Sequence, residues 1–253
     1  MNQKRLREVI YPGSLLPYLL WRAGIDSRPE KRVRLKSGEK LVLRRPPSND
    51  LGNAMEVFLF GTYESPKPLL DLKRIVDLGA NVGYSVVYFA RKFPQAEITA
   101  WEPHPAHVQQ LEANILANSL RDRVTIYPLA AGTQNQTKWL IDQGTSSRVV
   151  DSYVSNSVKI QVGDWLDDAR TATIDLLKMD IEGGEYDLLF DQRFEALNIP
   201  RIVVEWHCNP DRPHGDLEVN ERLRELGYEL HACRTAEVGD MRAGMLWAFR
   251  ENQ

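Results

Sequence analysis

From Leu69 onward, short apolar segments alternate with amphipathic ones, and this alternation constrains the fold more than any other feature of the 253-residue chain. Short apolar runs are typical of strands buried on both faces, and the amphipathic stretches between them are typical of helices packed on a sheet. The pattern therefore predicts an α/β fold with a mainly parallel sheet. The predicted strands, seven in all, are residues 74–78, 97–101, 124–131, 174–181, 201–205, 228–233 and 245–249.

Residues 1–66 are predicted to form a small N-terminal cap of helices and one hairpin. Residues 1–25 suggest one or two short helices, broken by the prolines at positions 12 and 17. The segments 32–36 and 40–44 alternate apolar with basic residues on either side of a Ser-Gly pair, which is typical of a β-hairpin. A proline-rich stretch then marks a boundary, so that the main domain is predicted over residues 67–253.

The cap is basic although the whole chain is slightly acidic. Residues 1–47 contain 12 Lys and Arg against 4 Asp and Glu, a surplus of +8. The other 206 residues then contain 20 basic and 31 acidic side chains, a balance of −11, and the two parts sum to −3. Such a surplus could attract an anionic substrate, a phospholipid surface or a second subunit, but a solvated outer layer is the favoured interpretation. A homodimer is left open, and no nucleic-acid partner is expected.

Several classes of protein are excluded by the sequence. The longest apolar run near the start is seven residues and contains Pro17, far below the roughly 20 residues of a membrane span. No secretory signal is recognisable either, so a cytoplasmic protein without a transmembrane segment is expected. Cys208 and Cys233 lack the spacing of a disulfide framework or a zinc site and are predicted to be free thiols.

A glycine-containing loop, Asp77-Leu-Gly-Ala-Asn-Val-Gly83, lies between the first predicted strand and the first helix of the main domain. Glycines at this position let the backbone approach a ligand at the carboxyl end of the sheet. Glu102 follows Gly83 by 19 residues, close to the spacing of about 20 for an acid that binds ribose hydroxyls. Together these features predict a nucleoside site.

The loop favours S-adenosylmethionine over NAD as the nucleoside. Dinucleotide-binding loops carry G-x-G-x-x-G and cradle a pyrophosphate, whereas this loop has the spacing G-x-x-x-G. A carboxylate at Asp77 would repel phosphate but could help to hold an ammonium group. The methyl donor has an ammonium group, a sulfonium and no phosphate, so it fits better than NAD.

The chain resembles the FkbM-type methyltransferases in three blocks of sequence. The blocks are residues 76–85, residues 101–105 together with Glu112-Ala-Asn114, and residues 177–185, which contain Lys-x-Asp-x-Glu-Gly. The resemblance covers about residues 69–207. It implies a seven-stranded, Rossmann-like class I methyltransferase fold, S-adenosylmethionine as the donor, and methylation of an oxygen on a small-molecule acceptor, usually a sugar or a secondary metabolite.

The resemblance also assigns residues to the donor. Loop residues would hold the methionine moiety, and Glu102 would bind the ribose. Pro103 and His104 would lie against the adenine, with Ala130, at the end of the third strand, as a weaker candidate. For His104 an exposed helix N-cap is an equal alternative. The loop residues assigned in this way are Asp77, Gly79, Ala80, Asn81 and Gly83.

Catalysis is predicted at the ends of the fourth and fifth strands, which reach the same crevice. Side chains alternate along a strand, so Lys178, Asp180 and Glu182 share one face, as do Glu205 and His207. Asp180 is expected to contact the donor as well, and Lys178 is expected to form a buried structural ion pair. The carboxylates would raise one another's pKa unless a cation compensates.

Two mechanisms follow from this cluster. In the favoured one, which needs no metal, His207 or Asp180 removes the acceptor proton as the hydroxyl attacks the methyl group. In the other, Asp180, Glu182 and Glu205 bind Mg²⁺, which lowers the pKa of the acceptor hydroxyl. An N-methyltransferase is the nearest alternative function. An NAD-dependent oxidoreductase and a non-catalytic module that keeps the pocket are more distant ones.

Overall fold

The computed structural model describes residues 3–142, 147–208, 212–238 and 241–250. The helices are α1 (Gln3–Val9), α2 (Pro12–Arg22), α3 (Asp50–Phe58), α4 (Tyr84–Lys92), α5 (Pro105–Ala117), α6 (Trp165–Ala169), α7 (Glu185–Phe190), α8 (Gln192–Glu195) and α9 (Gly215–Glu225). The strands are β1 (Glu30–Arg34), β2 (Lys40–Arg44), β3 (Arg74–Leu78), β4 (Glu97–Trp101), β5 (Val124–Tyr127), β6 (Ala130–Gly132), β7 (Gln136–Asp142), β8 (Ser147–Val150), β9 (Ser157–Asp164), β10 (Leu176–Met179), β11 (Arg201–Cys208), β12 (Glu229–Val238) and β13 (Met241–Phe249). None of the helices in the described ranges combines the length and the apolar character that a membrane span requires.

A central sheet of seven strands confirms the predicted α/β fold. Its order is β12-β13-β11-β10-β3-β4-β5, and β13 runs antiparallel to both of its neighbours while the other pairs are parallel. The chain passes from β3 to β4 on one side, and β10 lies on the other side of β3. Crevices outside the carboxyl ends of strands at such a switch point are where ligands bind in open α/β sheets.

The third predicted strand, residues 124–131, is not continuous. It divides into β5 and β6, because Pro128 lacks a backbone N–H and a bend follows it. Strand β6 then joins β7, β8 and β9 in a second, four-stranded sheet with the order β6-β9-β7-β8. Ala130 therefore begins a strand of this second sheet, and its predicted place at the end of a central strand is wrong.

Of the two prolines near the N-terminus, Pro12 separates two helices as predicted, since α1 ends at Val9 and α2 begins at Pro12, whereas Pro17 departs from the prediction. Pro12 occupies the first turn of α2, where its missing N–H costs nothing. Pro17 lies inside α2 and does not break it. The carbonyl that loses its intrahelical partner belongs to Gly13, which is exposed, so that water can replace the missing bond.

Each face of the central sheet has its own hydrophobic core. Helices α6 to α9 cover one face, where Trp165, Leu188 and Leu223 are buried. Helices α4 and α5 cover the other, and their core includes Phe89. The cap packs into this second core through residues of α2 and of the hairpin β1–β2, which is antiparallel as predicted. The cap thus lies on the same side of the sheet as the first two helices of the main domain.

Candidate active site

The loop between β3 and α4 has a conformation that requires its glycines. Gly79 and Gly83 have φ angles of 79° and 85°, in the left-handed region that favours glycine. A Cβ atom at Gly79 would lie 1.8 Å from the backbone oxygen of Asp180. The loop is therefore in direct contact with the end of β10, where the predicted catalytic residues begin.

Four backbone N–H groups of this loop donate hydrogen bonds inside the protein. The N–H groups of Gly79 and Ala80 both donate to the carbonyl of Trp101, at 2.9 Å in each case. Asn81 donates its N–H to Glu102 Oε2 at 2.9 Å, and Gly83 donates to the Ala80 carbonyl at 2.8 Å. A pyrophosphate site needs such donors to point at the ligand. This loop instead fits a nucleoside that carries no phosphate.

Asp77 does not have the position that the sequence predicts. Its carboxylate is fully buried, with Oδ1 2.9 Å from Lys178 Nζ, and Oδ2 accepts a 2.5 Å hydrogen bond from Ser85 Oγ. Both oxygens are occupied behind the loop, so the predicted direct contact between Asp77 and an ammonium group is corrected to a structural role.

Lys178 is the buried structural partner that the sequence indicates. Its ammonium also donates to the carbonyl of Gly79 at 2.6 Å. The attraction of Asp77, Tyr63 and Asp180 outweighs burial and raises the pKa of Lys178, so this side chain stays charged. The ammonium group of Lys178 therefore links β10 to the loop of residues 77–83, the donor loop.

Glu102 lies at the predicted place beside the loop. It is 6% exposed, and its two oxygens accept from the backbone N–H groups of Asn81 and His104, at 2.9 and 2.8 Å. A carboxylate accepts about four hydrogen bonds, so each oxygen retains a lone pair for a hydroxyl donor. His107 Nδ1, which sequence analysis did not single out, lies 3.5 Å from Glu102 Oε1.

His104 is the N-cap of α5, although it is buried rather than exposed. Its Nδ1 accepts a 3.1 Å hydrogen bond from the N–H of Ala106, and its ring stacks on His107 with centroids 4.4 Å apart. Pro103, between Glu102 and this cap, is half-buried. The cap holds the turn after β4 in place, and the predicted contacts of these two residues with adenine stay predictions.

The ends of β10 and β11 bring the predicted catalytic residues together. One ligand atom each from Asp180, Glu205 and His207 lies within 4.8 Å of the others. Glu182 Oε2 lies 3.6 Å from His207 Nε2, and Lys178 Nζ lies 3.7 Å from Asp180 Oδ2. The convergence that strand alternation predicts is therefore present, but the three residues that could share a cation include His207 in place of Glu182.

Burial and mutual repulsion change the protonation of two of these acids. Burial, followed by the charge of Asp180 and a hydrogen bond with it, raises the pKa of Glu205 to about 10. Burial and the charges of Asp180 and Glu185 raise the pKa of Glu182 to about 8. Glu205 therefore keeps its proton at neutral pH, and its predicted catalytic role stays a prediction.

Glu185 is a part of the site that sequence analysis missed. It is fully buried in the first turn of α7 and accepts from the N–H groups of Ile181 and Gly183 at 2.7 and 2.8 Å. These bonds close the turn that holds Glu182 at a φ of 57°, an unfavourable angle for glutamate. The His207 ring has Nδ1 4.0 Å from Glu185, so the imidazole lies between two acids. An acid directly after two glycines is the sequence signal that could have identified it.

Comparison with known proteins decides the family. The profile of the methyltransferase FkbM domain matches residues 77–230, more than half of the chain. The chain belongs to the FkbM methyltransferase family. The matched region contains the donor loop, Glu102 and the acidic cluster described above.

Two characterised relatives of this FkbM methyltransferase carry methyltransferase names. Methyltransferase sdnD of Sordaria araneosa is 27% identical over 216 residues, in an alignment covering 70% of this chain and 82% of that protein. Methyltransferase 1 of Beauveria bassiana is 28% identical over 180 residues, covering 59% of this chain and 70% of that protein.

Solved structures share the fold of this FkbM methyltransferase. A methyltransferase FkbM from Methylobacillus flagellatus superposes with a TM-score of 0.52 at 16% identity, over 73% of this chain and 45% of that one. TYW2 of M. jannaschii, solved in complex with AdoMet, gives a TM-score of 0.52 at 14% identity, over 89% of this chain and 88% of that one. At such identities the similarity concerns the fold, and it confirms the predicted class I methyltransferase architecture.

Proposed function

We propose that this FkbM methyltransferase moves the methyl group of S-adenosylmethionine to an oxygen, in a hydroxyl or a carboxylate, of a small molecule such as a sugar or a secondary metabolite. The observation that carries the proposal is the direct contact between the donor loop and the end of β10, at Asp180. This contact sets the nucleoside site beside a cluster that contains both a base and the acids around it.

The residues around the loop fit a cationic nucleoside. Four backbone N–H groups of the loop donate inside the protein, which disfavours a phosphate, while Glu102 has acceptor capacity for ribose hydroxyls. Asp180, 23% exposed at its side chain, offers a carboxylate on the side of the crevice next to the loop. S-adenosylmethionine, when bound, supplies a methyl group on a positively charged sulfur, and a carboxylate there stabilises positive charge.

Proton removal is assigned to His207, with Asp180 as the alternative. His207 is 22% exposed and its Nε2 lies toward Glu182, so an acceptor hydroxyl can reach the imidazole from the crevice. The hydroxyl proton moves to this ring or to the Asp180 carboxylate as the oxygen attacks the methyl group. Glu205 holds Asp180 through its own proton, which makes Glu205 a positioning residue.

A metal-free mechanism remains the preferred one. A divalent cation at Asp180, Glu205 and His207 would displace the proton of Glu205, whose pKa is raised to about 10 without a cation. Lys178 Nζ, 3.7 Å from Asp180, already supplies a positive charge at the same carboxylate. A tightly bound metal ion would have to displace the proton of Glu205 and overcome repulsion by the Lys178 ammonium group.

Methyl transfer from isotopically labelled S-adenosylmethionine to a panel of small alcohols, sugars, carboxylic acids and amines tests the proposal. We expect the label on oxygen, with the rate unchanged by EDTA. Label on the amines alone would replace the proposal with N-methylation. Loss of activity in EDTA, with recovery in Mg²⁺, would show that the acidic cluster holds a metal.

A further inference from the structure

Asn114 connects the cap to the donor loop through a single buried side chain. It lies in α5, is fully buried, and its Oδ1 accepts a 2.7 Å hydrogen bond from the N–H of Val42 in strand β2 of the cap. Its Nδ2 donates a 2.7 Å hydrogen bond to the carbonyl of Val82 in the donor loop. One planar amide thus joins two segments that are 40 residues apart in the sequence.

Two further amides, Gln110 in α5 and Asn118 at its C-cap, contact the same strand. Gln110 Nε2 donates to the carbonyl of Val42 at 2.5 Å, and Asn118 bonds both the N–H and the carbonyl of Lys40, at 2.9 and 2.6 Å. Four residues of helix rise about 6 Å and two residues of strand rise about 6.8 Å, so side chains spaced by four match backbone groups spaced by two. The amides replace a neighbouring strand at the outer edge of β2.

Val82, the loop residue that Asn114 contacts, lies in the part of the loop that contacts Glu102. Val82 stands between Asn81, which has a φ of 49° and donates its N–H to Glu102, and Gly83, which has a φ of 85°. A Cβ at Gly83 would lie 2.4 Å from Leu111 Cδ1, so α5 also supports the loop from behind. The orientation of the Val82 carbonyl and the position of Asn81 against Glu102 are therefore linked, because Val82 is flanked on both sides by residues in the left-handed region.

We propose that Asn114 is a positioning residue for the donor site, because its amide holds the carbonyl of Val82 and with it the loop. The inference rests on the proposed function, because it takes the loop and Glu102 as the donor site. A buried carbonyl that loses its partner is costly, and a loop that can relieve this cost by turning the carbonyl toward solvent moves Asn81 away from Glu102. Asn118 provides the comparison, since its hydrogen bonds reach Lys40 and its own helix but not the loop.

The test compares N114D with N118A in the full chain. N114D keeps an acceptor for Val42 but lacks the donor to Val82, whereas N118A loses contacts to the cap alone. Calorimetry with S-adenosylmethionine should give about tenfold weaker binding for N114D, the equivalent of one lost hydrogen bond, and an affinity within about twofold of the wild type for N118A. Amide hydrogen exchange without ligand should be faster at residues 79–83 in N114D only.

Several outcomes would overturn the inference. One is an N114D protein with wild-type affinity and wild-type exchange at the loop, and another is an equal loss of affinity in N118A. N114A, which is neutral and removes both bonds, gives the same test if the buried carboxylate of N114D prevents folding. If the wild type does not bind the donor at all, the proposed function fails, while the exchange comparison still decides whether Asn114 holds the loop.

Discussion

Burial and the neighbouring Asp180 raise the pKa of Glu205 far above that of an ordinary carboxyl group. Glu205 and Asp180 lie at the ends of adjacent strands, and the first donates its proton to the second. Strand alternation predicts that these residues meet. It does not predict which one keeps its proton, because that depends on burial and on a hydrogen bond between side chains that are 25 residues apart.

The protonated state of Glu205 makes stability depend on pH. Its pKa is raised from an ordinary 4.5 to about 10, so between these values the folded protein keeps a proton that the unfolded chain loses. Stability from this group is complete below pH 4.5 and falls as the pH rises toward 10, by at most about 1.4 kcal/mol per pH unit. E205Q keeps a donor that cannot ionise, so its melting temperature relative to wild type should rise between pH 5.5 and 8.5. A difference that is constant or falls with pH contradicts this assignment.

Replacement of His207 tests the base. In H207A we expect turnover to fall at least about tenfold with little change in donor affinity, because a base acts on the acceptor proton rather than on donor binding. His231, a half-buried residue paired with Glu229, supplies the matched control H231A, which should keep wild-type turnover. Wild-type turnover in H207A would transfer the role to Asp180.

At the scale of elements, the sequence predicted the bounds of strands correctly where the strand is a single apolar run in the centre of the sheet. Strands β3 and β4 have the predicted bounds, because each is a short apolar run ended by a polar loop. The prediction failed at β5 and β6, where Pro128 redirects the chain into a second sheet whose pairing partner, β9, comes about 30 residues later. Such pairing depends on long-range contacts, and the local pattern does not contain them.

The donor loop offers a test at this scale with an internal control. Gly79 and Gly24 have φ angles of 79° and 83°, but only a Cβ at Gly79 meets the backbone, at 1.8 Å from Asp180. G24A should cost about 1 kcal/mol of unfolding free energy for the left-handed backbone alone. G79A should cost about 3 kcal/mol or more, measured by denaturant unfolding, and should lose donor binding.

If G79A and G24A are equally stable and G79A binds the donor, the loop is not packed on the end of β10 in solution. The proposed adjacency of donor loop and catalytic cluster would then lose its structural basis.

At the scale of the whole molecule, the composition of the cap and its hairpin could be predicted, but its docking could not. The basic surplus and the alternating segments identify the cap as a separate element. Its attachment depends on amides of α5 that bond strand β2 across more than 70 residues of chain. The family resemblance includes Asn114, but nothing in the local sequence indicates that its amide bonds both strand β2 and the loop. In the same way, Asp77 was assigned to the ligand because its charge was visible in the sequence and its burial was not.

The account as a whole depends on a nucleoside site that excludes phosphate and accepts a positively charged donor. Calorimetric titration of the full chain with S-adenosylmethionine, and separately with NAD, tests this most directly. We predict saturable binding of S-adenosylmethionine at a single site per chain and no saturable binding of NAD. Saturation by NAD, or the absence of any binding of S-adenosylmethionine, would contradict the account.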